Sequence, residues 1–188
     1  MLATKKTLTL AFCALIFFSH INQARSRSVE KQAVLAALTL NIARFTSWPE
    51  SDLNNIESAL NLCVIGDNIV QRSFNNIDNK VVNRKTIHII NLSRLRNLQQ
   101  CHLLYISELE RNKLAPLLAE LEGQSILTIG DNKGFLQAGG MVGLEMINGK
   151  IQLHISLSNI KQSGLVISSR LLKLANIVDF PIPAQKLD

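Results

Sequence analysis

The chain has 188 residues, of which 47% are hydrophobic and 18% charged, with a formal net charge of +6. The positive charge is scattered over Arg72, Arg84, Lys85, Arg94, Arg96 and Arg111 rather than gathered in a run, and aromatic residues make up only 5%. Nucleic-acid binding, which needs a basic track and stacking platforms, is thereby excluded as a main activity.

The first 24 residues read as a secretory signal peptide. Lys5 and Lys6 form a basic start, Leu8 to Phe18 an apolar run, and small residues around Ala24 and Ser26 a cleavage site. The run is too short for a membrane span of about 20 residues. Cys13 lies inside the apolar run behind Phe12, which does not suit a lipoprotein signal. Cleavage leaves about 160 residues, enough for one domain with its own core, and lowers the charge to +4 by removing Lys5 and Lys6.

Along the remaining chain, Val29 to Phe45 carries Val34, Leu35, Leu38, Ile42 and Phe45 at helical spacing, and Trp48-Pro49 ends the helix. Leu60 to Ile65 is a short apolar strand, and Asp67 or Asn68 caps a helix over Ile69 to Ile77. Thr86 to Ile90 and Leu103 to Ile106 are strands. Glu108 to Leu121 is helical, with Pro116 predicting a kink or a late start. Ile126 to Ile129 is a further strand. Met141 to Ile147 and Lys150 to Ile155 flank Asn148-Gly149, a hairpin signal because both positions accept positive φ. Ser156 to Lys161 is a short helix ending near Gly164. Ser168 to Ile177 reads as a last helix capped by Ser168 or Ser169, and Pro181 to Asp188 as a loose tail.

Strands alternating with helices indicate the α/β class: a single compact domain, a mostly parallel sheet flanked by helices, and a C-terminal antiparallel hairpin. The expected organisation is a signal at 1–24 and the domain at 25–188, with its core over about 30–177.

The stretch LTIGDNKGFLQAGGMVG invites comparison with a phosphate-binding loop. Its glycines, at 130, 134, 139, 140 and 143, do not follow Gly-x-Gly-x-x-Gly. Met141-Val142 stands where a Walker loop needs Lys-Ser or Lys-Thr. The loop is therefore expected to be architectural, with Phe135 and Leu136 anchoring it in the core. Asp67 and Asp131 each precede an asparagine, lack a carboxylate cluster, and read as caps or turn formers rather than metal ligands. His88, His102 and His154 sit within strand patterns. Ser107, Ser125 and Ser156 lack a nucleophile elbow. Composition shows no enzyme, and no catalytic residue, cofactor or metal is expected. Cys63 and Cys101 are the two cysteines left after cleavage. An even count in an exported chain suggests a disulfide, the alternative being two separate buried thiols.

Five segments resemble the YfiR family, periplasmic repressors of membrane-bound diguanylate cyclases. They are VLAALTLNIARFTSWPE, LNLCVIGDN, CHLLYIS, ILTIGDNKGFLQAGGMVGLEMINGKIQLHISL and SGLVISSRLLKLA. Together they run over roughly residues 30 to 175. The resemblance implies that Cys63 and Cys101 match a family disulfide position. The second cysteine pair of some members is absent here, since no cysteine follows Cys101, and Val142-Gly143-Leu144 replaces the family's usual Asn-Phe after Gly-Gly-Met. It further implies a periplasmic, non-enzymatic negative regulator of cyclic-di-GMP signalling and biofilm formation. The implied partner is the periplasmic sensor domain of a membrane-bound diguanylate cyclase, with Phe45 and Trp48 as candidate contacts. A second copy of the chain is an open further partner. No membrane span is expected after signal cleavage. The alternative is a periplasmic ligand-binding or sensory protein reporting to another envelope partner, such as a histidine kinase.

Overall fold

The computed structural model describes residues 28–49 and 59–178; the signal peptide and the Pro181 to Asp188 tail expected above lie outside them. The architecture is mixed α/β. Helix α1 covers residues 28–44. It is followed by β1 (Thr46–Ser47), β2 (Ala59–Ile65), α2 (Asn68–Asn75), β3 (Val81–Val82), β4 (Lys85–Asn91), a 3-10 turn (Leu98–Gln100) and β5 (Leu103–Ile106). Then come α3 (Arg111–Glu120), β6 (Leu127–Gly130), β7 (Val142–Ile147), β8 (Lys150–Ile155), α4 (Leu157–Gln162), β9 (Val166–Ile167), α5 (Ser169–Leu172) and β10 (Asn176–Ile177).

The main sheet has eight strands in the order β10-β8-β7-β6-β5-β2-β4-β3. Its centre, β4-β2-β5-β6-β7, is parallel throughout. β3 and β8 are antiparallel to their inner neighbours. β5 and β6 are buried at every residue, as strands covered on both faces must be, and this is why they read in sequence as unbroken apolar runs. Two cores result. One holds Val64, Tyr105 and Ile129 against α1 and α2; the other holds Cys63, Leu104 and Ile106 against α3.

Several elements differ from the sequence reading. The inward stripe of α1 is Gln32, Leu35, Ala36, Thr39, Ile42 and Ala43, while Val34 is 45% exposed. α3 starts late, at Arg111, and carries Pro116 in its interior. Asn83 and Arg84 both have positive φ, so Val82-Asn83-Arg84-Lys85 makes a hairpin turn without glycine. The expected last helix is only one turn long. Ser168 caps it, but the chain then returns to the sheet, where Asn176 and Ile177 pair beside His154 and Ile155. Backbone pairing at an open edge here outweighs the helical spacing of the leucines.

Candidate functional site

The glycine-rich loop is filled by the chain itself. Phe135 is fully buried and Leu136 nearly so. A Cβ added at either Gly130 or Gly140 would overlap the Phe135 ring. Gly140 donates its N–H to the Phe135 carbonyl at 3.0 Å, and the Asn159 side chain donates to the carbonyls of Gly139 and Gly140, both at 3.0 Å. The space these glycines open is taken by an aromatic ring, and the loop is a packing device.

Cys63 in β2 and Cys101 just before β5 are joined, with Cα atoms 5.7 Å apart. Both are buried among the side chains that face α3. The bridge fastens two neighbouring parallel strands.

At the end of α1, Trp48 is 7% exposed. Its indole N–H donates to the His102 carbonyl at 3.3 Å. Phe45 is half-buried against the same core, and its carbonyl accepts the Ser168 N–H at 2.8 Å. That bond leads into the small β1–β9 ribbon, where Thr46 pairs with Ile167 and Ser47 with Val166. Val166 is 63% exposed. Phe45 thus lies beside the exposed Val166, while Trp48 is buried in the core.

The two aspartates part company. Asp67 caps α2, accepting the N–H groups of Ile69 and Val70 at 2.8 Å. Asp131 neither caps nor forms a turn. It accepts Lys31 Nζ of α1 at 3.0 Å, and its side chain is only 5% exposed. Asn132 does the bridging work between loops, accepting the Glu108 N–H at 2.9 Å and donating to the Leu109 carbonyl at 3.1 Å.

Asp131 belongs to a polar cluster that sequence reading misses. β4 and β5 flank β2 on opposite sides, so the chain reverses its winding at β2–β5. In open α/β sheets, ligands bind outside the carboxyl ends of the strands at such a reversal. Here Tyr105 and Ser107, at the carboxyl end of β5, share the α1 face of the sheet. The β5–β6 register, carried one step past Ile106 and Gly130, sets Asp131 beside Ser107. Lys31 and Gln32 stand above, in the first turns of α1. Gln32 Oε1, Tyr105 OH, Ser107 Oγ and Asp131 Oδ1 are all buried without a protein partner. Burial pushes the Tyr105 hydroxyl far above its ordinary titration range, and the Asp131 and Glu108 carboxylates push it further. The parity of Asp131 with buried Ile129 is the one sequence signal that points inward; Lys31 lies 100 residues away from it.

The remaining candidates do not assemble into a nucleophile and base. His88 is exposed, with Nδ1 3.7 Å from Asp78 Oδ1. His102 Nδ1 accepts the Asn61 N–H at 2.8 Å. Ser125 donates to the Ser163 carbonyl at 3.1 Å. Ser156 caps α4. Among the described residues, no group of three or more His, Cys, Asp or Glu could hold a metal ion, and no helix is long and apolar enough to cross a membrane.

The sequence model of one protein family, described as YfiR/HmsC-like, matches residues 31–176. That span takes in nearly all of the described chain, from the Lys31 end of α1 to the first residue of β10. No individual curated protein matches the chain.

Proposed function

The chain belongs to the YfiR/HmsC-like family, and from that membership we propose that it is a periplasmic, non-enzymatic repressor of a membrane-bound diguanylate cyclase. The observation that carries this reading is the family match over residues 31–176. The protein acts stoichiometrically. It binds the periplasmic sensor domain of the cyclase and favours a state in which the cytoplasmic domains do not pair productively. Differential affinity suffices: binding the inactive state about a hundredfold better biases the equilibrium by roughly 2.7 kcal/mol. The contact surface includes Phe45 and the exposed Val166 beside it.

Deleting the gene should raise cellular cyclic-di-GMP and surface attachment. The full-length gene should reverse both, and a form lacking residues 1–24 should not. Unchanged cyclic-di-GMP in the deletion strain, while every diguanylate cyclase encoded beside the gene is expressed, sinks this reading.

The polar cluster under α1 supports a second reading, a ligand-binding protein that reports to another envelope partner such as a histidine kinase. Buried hydroxyls and amides of this kind are completed by water or by a small polar molecule. A thermal-shift response to a small envelope metabolite, abolished by Ser107→Ala, would favour it over the first.

A further inference from the structure

The outward face of α2 is polar along its length. Asn68, Gln71, Arg72 and Asn75 recur at i, i+3, i+4 and i+7, so their side chains share one side of the helix. Val70, Ser73 and Phe74 are buried on the other side. A solvated helix would need no more than this, but here the polar face is one wall of a cleft. β3 pairs with β4 only at Lys85 and Thr86, so among the described residues no strand flanks the carboxyl half of β4 on that side. Asn91, the last residue of β4, is exposed there, and its side chain donates to Asn75 Oδ1 at 2.9 Å. Asn68, Gln71, Arg72, Asn75 and Asn91 line an open cleft of about 330 Å³.

The wall groups are held in place by single bonds that leave other valences unused. Arg72 Nε donates to the Asn68 carbonyl at 3.0 Å, which fixes the guanidinium and leaves both terminal nitrogens unpaired. Gln71 Nε2 donates to the Gly66 carbonyl at 3.2 Å, leaving Oε1 as an acceptor. Asn75 keeps its amide donor and Asn91 its amide oxygen. The lining therefore combines one planar cation with interleaved amide donors and acceptors, and holds no carboxylate and no apolar side chain.

The carboxylates that flank α2 in sequence are engaged elsewhere. Asp67 caps the helix, and Asp78 accepts the Ile89 N–H at 2.9 Å. From Asp78 to Glu108 the chain carries Lys80, Arg84, Lys85, Arg94 and Arg96 and no acidic residue. Arg94 and Arg96 follow closely on Asn91 and are exposed. The surroundings of the cleft are positive.

We propose that this cleft binds a saccharide bearing a carboxylate, with the carboxylate on Arg72 and the ring hydroxyls on the amides. A guanidinium meets a carboxylate through two parallel hydrogen bonds. A bare inorganic anion only accepts, and would set its oxygens against Gln71 Oε1 and Asn91 Oδ1. Hydroxyls donate as well as accept, so they satisfy these two oxygens together with the amide donors. An ammonium-bearing ligand lacks the opposing carboxylate it would need, and an apolar ligand finds no wall. The proposal does not depend on the repressor reading: the cleft shares no residue with the Phe45 surface or with the polar cluster under α1.

The cleft carries its own reporters, the side-chain amide signals of Asn68, Gln71, Asn75 and Asn91 in NMR spectra of the exported, oxidised protein. Titration with methyl glucuronide should shift these signals and saturate with a Kd on the order of a few millimolar. Methyl glucoside, which lacks the carboxylate, should bind about tenfold more weakly. Acetate, inorganic phosphate and alanine at the same concentrations should leave the signals in place. Arg72→Lys keeps the charge without the planar fork and should weaken glucuronide binding about tenfold; because Arg72 is exposed, the melting temperature should not change. Arg170→Lys, on α5, should alter neither. Signals that do not respond to the glucuronide, equal affinity for the glucoside, an equal response to acetate, phosphate or alanine, or indifference to Arg72→Lys overturns the proposal.

Discussion

Gly140→Ala is a one-carbon change whose cost can be worked out from its surroundings. The new Cβ would overlap the Phe135 ring. The ring cannot retreat, because Gly130 meets it closely on another side and it is fully buried among the side chains that pack against α3. Overpacking in a rigid core costs about 1–3 kcal/mol. Alanine also stiffens the unfolded chain, which returns about 0.4–1 kcal/mol, since the φ of Gly140 is not in the left-handed region. The net expectation is a loss of about 1.3 kcal/mol.

A double-mutant cycle isolates the steric origin. Phe135→Ala alone should cost about 3–5 kcal/mol. In that background, Gly140→Ala should be neutral or slightly stabilising, giving a coupling of about 2 kcal/mol. Urea unfolding followed by the fluorescence of Trp48, the single tryptophan, measures each corner. If Gly140→Ala is harmless in the native background, or costs the same with and without the ring, the account of the loop as a socket for Phe135 is wrong.

Three further outcomes follow from the same structure. The Cys63–Cys101 bridge closes a separation of 38 residues, worth about 4 kcal/mol in the loop-entropy treatment; Cys63→Ser should lower the melting temperature by roughly 10 °C, and an unchanged transition would deny the bridge a structural role. Lys31→Ala leaves the buried Asp131 carboxylate without its cation; since Lys31 is 36% exposed, the usual buried-pair cost is discounted to about 2 kcal/mol, and Asp131→Asn should recover part of it, a result that additive losses would contradict. Tyr105 is the single tyrosine and is held neutral by burial and then by Asp131 and Glu108, so the native state keeps its proton where the unfolded state loses it; stability is unaffected below the ordinary tyrosine range near pH 10 and falls as pH rises through it. Tyrosinate absorbance should therefore appear only together with unfolding, and a smooth titration of the folded protein near pH 10 would refute the burial argument.

The parts of the fold that read directly from sequence are those whose pattern is local. β2, β5 and β6 are apolar runs of strand length, and Asn148-Gly149 announces its hairpin by backbone chemistry alone. β1, β3, β9 and β10 have two residues each, too few for any period to show, and they exist because a partner strand is already in place. The Asn83-Arg84 turn hides for a related reason: arginine in the left-handed region is tolerated because the flanking strands pair. In α1 the phase is set by small residues. Ala36 and Ala43 face the sheet, so that helix and strands can approach, while the larger Val34 turns to solvent; a reading that weights size assigns the stripe one step out of place.

The polar cluster was hidden by the same locality. Each of its members has an ordinary explanation when taken alone: Lys31 as a solvated charge at a helix start, Asp131 as a turn former, Tyr105 as a core aromatic, Ser107 as a strand terminator. Their common address follows from two non-local facts, the reversal of winding at β2 and the placement of the first turns of α1 over the carboxyl ends of β5 and β6. Four partnerless polar atoms at one such place are costly, since each unsatisfied buried group weighs about 1–3 kcal/mol against folding. An apolar floor would hold α1 more firmly there. The distal half of α1 rests on a mainly apolar floor, with the Thr39 hydroxyl as its one buried polar atom lacking a partner among the described residues, so the helix is bound unevenly along its length, with Lys31–Asp131 as the ion pair fastening its first turns. Local opening starts where burial is least well rewarded. Hydrogen exchange should therefore be faster at the Lys31 end of α1 than at Ile42 and Ala43, and Lys31→Ala should widen that difference. Uniform protection along the helix would show that the polar floor carries no energetic penalty.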